Sequence, residues 1–227
     1  MHYDDVIARL KVEANPDNVA GMARFGISTA NTLGIPIYTL RKLAGEIKKD
    51  HELALELWGS GIHEARVLAG FIDVPEKVTE AQLEIWVRDF DSWDVVDQLS
   101  ALIYRTPYVL KRIHEWSGSD AEFVKRMAFS LIAEISCHDK KMADEEFEQF
   151  FVLIKSAAID ERNYVKKAVN WALRNIGKRN GVLNRRAIET AREIQKMDSK
   201  AARWIAADAL RELTGEAVQK RLAGTNA

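Results

Sequence analysis

Apolar positions recur along this chain at helical spacing, and the alternation of a half-buried strand is absent. In 93–104 the apolar set is Val95, Val96, Leu99, Leu102 and Ile103, the i, i+1, i+4, i+7, i+8 stripe of a helix with one buried face. In 121–135 it is Val124, Met127, Ala128, Leu131, Ile132 and Ile135, and in 161–177 it is Val165, Ala168, Val169, Ala172, Leu173 and Ile176. About a dozen such segments, joined by short loops, fill the sequence. The prolines at 16, 36, 75 and 107 stand where each opens a helix rather than breaks one. Thr106-Pro107 reads as an N-cap and a first-turn proline. Ser119 to Glu122 and Thr79 to Gln82 read as capping boxes.

Four of the segments resemble one another: HEARVLAGFI (63–72), FVKRMAFSLI (123–132), YVKKAVNWAL (164–173) and AARWIAADAL (201–210). Each sets a basic residue, Arg66, Arg126, Lys167 or Arg203, ahead of a small apolar core, and the last two gaps are 41 and 36 residues. That period belongs to paired-helix repeats. The expected fold is all-α, a HEAT/armadillo-like helical repeat solenoid with a concave basic groove. An irregular helical bundle is the rival architecture. With no long linker and no low-complexity tract, residues 1–227 read as a single domain.

Some large or charged residues lie off the stripes. Trp93 and Asp97 share a face roughly 140° from the centre of theirs, continued by Ser100 and Tyr104. Arg126 points almost opposite its stripe, beside the small Ser130 and Ala133. Trp171 lies about 130° from its own stripe, among Lys167, Arg174 and Lys178. If these helices line the inner layer, Trp93, Asp97, Arg126 and Trp171 share one groove. An off-stripe tryptophan also serves as core for a neighbouring layer, and an arginine at a repeat position also caps helices or pairs with acids. Taken singly each residue favours the structural role; taken together the four favour a site.

Composition changes this picture in one respect. The net charge of −1 conceals an asymmetry: residues 1–159 carry 18 Lys+Arg against 26 Asp+Glu, and residues 160–227 carry 15 against 8. A basic C-terminal third suits a polyanion, and equally a solvated helical surface. No apolar run approaches the ~20 residues of a membrane helix. MHYDDVIARLKVEAN lacks the apolar core of a secretory signal, and Cys137 is alone, so a cytoplasmic location is expected. The five histidines are scattered, no H-E-x-x-H or phosphate-cradling glycine loop occurs, and no metal or cofactor is expected. What remains is a basic bank for phosphates, aromatics for stacking, and a carboxylate suited to a cationic transition state such as that of N-glycosidic cleavage.

SWDVVD (92–97), VKRMAF (124–129) and YVKKAVNWALRNIGK (164–178) resemble the AlkD-type DNA glycosylases, HEAT-like repeat proteins that excise alkylated purines. The similarity runs from about MARFGISTANTLGIP (22–36) to the basic C-terminal segments. It implies that Asp97 is the catalytic carboxylate, that Trp93 and Trp171 hold the lesion, and that Arg126 is the active-site arginine. It implies DNA contacts from Tyr164, Lys167, Arg174, Lys178, Arg179, Arg185 and Arg186. The family's tryptophan three residues ahead of the arginine is Phe123 here, and only Tyr164 remains of an aromatic pair. The implied activity is hydrolytic release of N3- or N7-alkylated purines from double-stranded DNA by a monomer that associates with the nucleoid when bound. A non-catalytic binder of damaged or branched DNA and a protein-interaction solenoid are the alternatives.

Overall fold

A computed structural model describes residues 1–225, and these are helical with no strand among them. They fall into two compact units, residues 1–109 and 110–225, each described by itself. The first contains α1 (Tyr3–Val12), α2 (Pro16–Arg24), α3 (Ile37–Ile47), α4 (His51–Gly59), α5 (His63–Ile72), α6 (Glu80–Arg88) and α7 (Trp93–Ile103). The second contains α8 (Val109–Ser117, starting at the boundary), α9 (Glu122–His138), a 3-10 turn at Asp144–Phe147, α10 (Glu148–Ala157), α11 (Asn163–Gly177), α12 (Gly181–Gln195), α13 (Lys200–Leu213) and α14 (Glu216–Thr225).

In the first unit α5 is the central element, packed against α3, α4 and α7. Nearly all of it is buried, the polar His63 and Glu64 included. Burying a carboxylate requires partners, and Glu64 finds them in backbone amides. Its oxygens accept from the N–H groups of Leu33 (2.8 Å), Gly34 (2.7 Å) and Ile35 (3.2 Å). This fastens the loop before α3 onto α5. Gly34 occupies the left-handed region at φ +77, and a Cβ there would meet the Asn15 carbonyl oxygen at 2.1 Å, so no other residue fits the turn. Helix starts follow local chemistry: Asn15 with Pro16, Asp50 and Thr79 cap α2, α4 and α6.

In the second unit α9, α11 and α13 pack side by side, with α10 and α12 in contact with α11 and with each other, and α12 also against α13. Except for the partly exposed Val124, the stripes read from the sequence in α7, α9 and α11 are buried. α9 is buried over more of its circumference than its stripe, because Ser130 and Ala133 are small enough for close approach.

Within each unit, polar bonds that cross from one repeat to the next hold the helices in register. In the second unit Arg126, Asn170, Arg174, Lys155 and Arg186 each bond a partner 38 residues away. In the first unit Trp58 to Asp89, His63 to Asp94 and Leu33 to Glu64 are each 31 apart. Aligning the basic residues gave gaps of 41 and 36; the physical register is set instead by which side chains meet across the helix pair.

Three expected helix starts differ because a side chain takes another partner. The serine box before α9 does not close: Ser119 Oγ accepts from Ala121 N–H (3.1 Å), and Glu122 is drawn across the repeat to accept from Tyr164 N–H (3.2 Å). Thr106 donates its hydroxyl to the Ile103 carbonyl (2.8 Å) and so closes α7, while α8 starts at Val109. At Thr79 the cap forms, but Gln82 turns to donate to Asp73 (2.6 Å) rather than completing its box.

Replacing Glu64 with alanine strips three backbone amides of their acceptor. Urea unfolding of Glu64→Ala should show a loss of ~3 kcal/mol, whereas an unchanged midpoint would mean that water satisfies these groups.

Candidate nucleic-acid interface

Trp93 and Asp97 stand on α7, at its first position and one turn later, and both are half-buried. The buried stripe Val95, Val96 and Leu99 fixes the helix, so both side chains are aimed by the core rather than by a loop. Trp93 Nε1 donates to the Phe25 carbonyl oxygen at 3.0 Å, which pins the indole edge. Ser100, expected on the same open face, is fully buried and donates to the Asp97 carbonyl oxygen at 2.7 Å.

Trp93 lines a cavity of about 540 Å³ together with Met22, Phe25, Ile37, Leu40 and Val67, and with Arg41 and Gln98 as polar lining groups. Its volume is that of a small-molecule or nucleobase pocket. The carboxylate on its wall nearest Trp93 in sequence is Asp94, not Asp97. Asp94 accepts from His63 Nε2 at 2.8 Å and from the Ser92 hydroxyl. Burial pushes His63 down, but the hydrogen bond and charge of Asp94, with Glu64 and Asp91 behind them, outweigh it and raise the imidazole above its ordinary value. Burial pushes Asp94 up, and its bonds to His63 and Ser92 overcome this and hold it below the usual carboxylate value. No local motif in the sequence marks this pair, since His63 lacks the second histidine of a metal site. The signal was its 31-residue separation from Asp94, shared by the other cross-repeat bonds of the unit.

The other nine residues lie in the second unit. Arg126 on α9 is buried, and its Nη1 donates to the Tyr164 carbonyl oxygen at 2.8 Å. The structure thus brings Arg126 and Tyr164 together, and Tyr164 also packs its ring on Phe123 at 5.5 Å. Trp171 is half-buried on α11. Arg174 bonds Glu212 and lies 3.4 Å from Asp208, and Lys178 bonds Glu212 at 2.8 Å. Arg179 donates to the Met142 carbonyl at 2.9 Å and lies over the Phe147 ring. Arg186 bridges Glu148 and Glu189, each at 2.7 Å. Lys167 and Arg185 are exposed and hold no ion pair among the described residues. No three metal-ligating side chains cluster among the described residues, and no described helix is long and apolar enough to cross a membrane.

A sequence model of the DNA alkylation repair enzymes matches residues 6–213. The chain belongs to the DNA alkylation repair enzyme family. Relatives include the uncharacterized proteins Lin0241 of Listeria innocua and Lmo0209 of Listeria monocytogenes. These are 25% and 24% identical over 200 residues, spanning 86% of this chain and 87% of each relative. Among solved structures the fold is similar to one described as a new family of proteins related to the HEAT-like repeat DNA glycosylases with affinity for branched DNA structures. That match has a TM-score of 0.79 at 19% identity, covering 95% of this chain and 97% of that one. The family fold is accordingly a HEAT-like helical repeat.

Two measurements test this chemistry. The His63 contribution to stability is complete below the ordinary imidazole value and is lost as pH rises through its elevated one. His63→Gln should therefore lower the melting temperature more at pH 6 than at pH 8.5; an equal loss at both would mean that the pair carries no charge. On DNA, Lys167→Ala should reduce the slope of log affinity against log salt by about 1. Arg186 must first release Glu148 and Glu189, so Arg186→Ala should reduce that slope less.

Proposed function

We propose that this protein is a DNA glycosylase that releases N3- or N7-alkylated purines from duplex DNA. The observation that carries the reading is the pairing on α7 of a pinned indole with a half-buried carboxylate one turn on, in a chain of the alkylation repair family. Alkylation at N3 or N7 gives the purine a formal positive charge. Breakage of the C1′–N bond returns the electron pair to the base, which leaves neutral, and puts positive charge on the sugar. Asp97 stabilises that developing cation and takes the proton of the water that adds to C1′. Trp93 holds the cationic base by stacking and cation–π attraction, worth on the order of 0.5–2 kcal/mol for a ring, and Trp171 offers the same kind of contact to DNA from the second unit. Lys167 and Arg185 neutralise phosphates directly. Arg174, Lys178, Arg179 and Arg186 do so by exchanging partners they already hold.

A second reading is a binder of branched or damaged DNA without base release. It is favoured by Arg126, whose guanidinium is buried on a backbone carbonyl, and by the branched-DNA affinity of the structural neighbour.

Incubation with duplex containing 7-methylguanine, with free base measured by chromatography, separates the two. Release by the wild type and its loss of at least a hundredfold in Asp97→Asn, with DNA affinity retained, are the expected results. DNA binding with no release at any protein excess would leave only the second reading.

A further inference from the structure

α11 and α13 are tied side by side by Asn170 to Asp208 at 2.6 Å and by Arg174 to Asp208 and Glu212. Their apolar stripes face the core, with Ala201, Ala202, Ile205, Ala206 and Ala209 all buried on α13. Trp204 lies off that stripe. It is 41% exposed, the most exposed of the six tryptophans, while Trp58, Trp86 and Trp116 are buried. Part of this indole therefore meets solvent from a regular helix. The ring is not bare of company: the Lys166 ammonium of α11 lies 5.2 Å from its centroid. At helical spacing its neighbours on α13 are Lys200 and Asp208, the latter ion-paired with Arg211, while Arg203, adjacent in sequence, pairs with Asp198.

We infer that Trp204, with Lys166 beside it, is a stacking platform for an unpaired nucleobase. An exposed aromatic among cations matches the two halves of a nucleotide, a π-face for the base and positive charge for its phosphate. Within an intact duplex both faces of every base are covered by stacked neighbours, so this platform reads bases that have lost a stacking partner, at a branch point, gap or end. The inference rests on the DNA-binding reading above but on none of the residues assigned there to base release. Lys166 and Lys200 hold no ion pair among the described residues, so their charge is available to a phosphate.

The test compares the full-length wild type, Trp204→Ala and Trp204→Phe on a blunt duplex and on the same duplex carrying a single-stranded thymine extension. The platform predicts about tenfold weaker binding of Trp204→Ala to the extended DNA, duplex affinity within about twofold, and substantial recovery with phenylalanine. Oligothymidylate should quench tryptophan emission of the wild type more than that of Trp204→Phe, a readout that survives if the alanine variant folds poorly. Equal binding of wild type and Trp204→Ala to extended DNA would overturn the platform and leave the proposed function standing, as would an equal loss on both DNAs. No DNA binding by the wild type would overturn both.

Discussion

A polar side chain that finds its partner one repeat away is the interaction on which this structure depends. Apolar stripes bring helices together, but alanine and valine surfaces slide past one another at little cost. Direction and register come from the bonds at 38 residues in the second unit and at 31 in the first. Each joins groups that would be penalised for losing water alone, so only one relative height of two neighbouring helices satisfies them. Glu64 is the strongest case, since one carboxylate binds three amides and thereby places the loop that walls the Trp93 cavity.

The same bonds divide the cations of the second unit into two populations. Arg174, Lys178, Arg179 and Arg186 are committed to internal acceptors, while Lys167 and Arg185 point into solvent with their charge available. A net positive charge summed over a stretch of sequence therefore overstates what a phosphate meets. Exchange of an internal carboxylate for a phosphate is favourable only where the released acid finds water or another cation.

Much of this was legible in the sequence. Periodicity located α7, α9 and α11 and the buried residues along them, because burial of an apolar face dictates a 3.6-residue repeat whatever the partner. It also separated Trp93, Asp97 and Trp171 from the core stripes, and all three are half-buried rather than sealed. What it did not show was where polar groups go. Glu122 abandons its capping box for a neighbouring helix, Ser100 turns inward, and Arg126 is spent on the Tyr164 carbonyl. Those outcomes depend on atoms more than thirty residues distant or on the exact depth of a helix, and no local pattern records them. The His63 and Asp94 pair was hidden likewise, although its separation repeats elsewhere in the unit.

The spacing of the cross-repeat bonds also governs how such a chain can change length. One residue inserted within α11 turns everything beyond it by ~100° and would carry Arg174 away from Glu212. An insertion or loss of a whole repeat restores every pairing in phase. Tolerated changes of length are therefore those of whole repeats, near 38 residues for the Arg174 to Glu212 bond in the second unit and 31 for the His63 to Asp94 bond in the first.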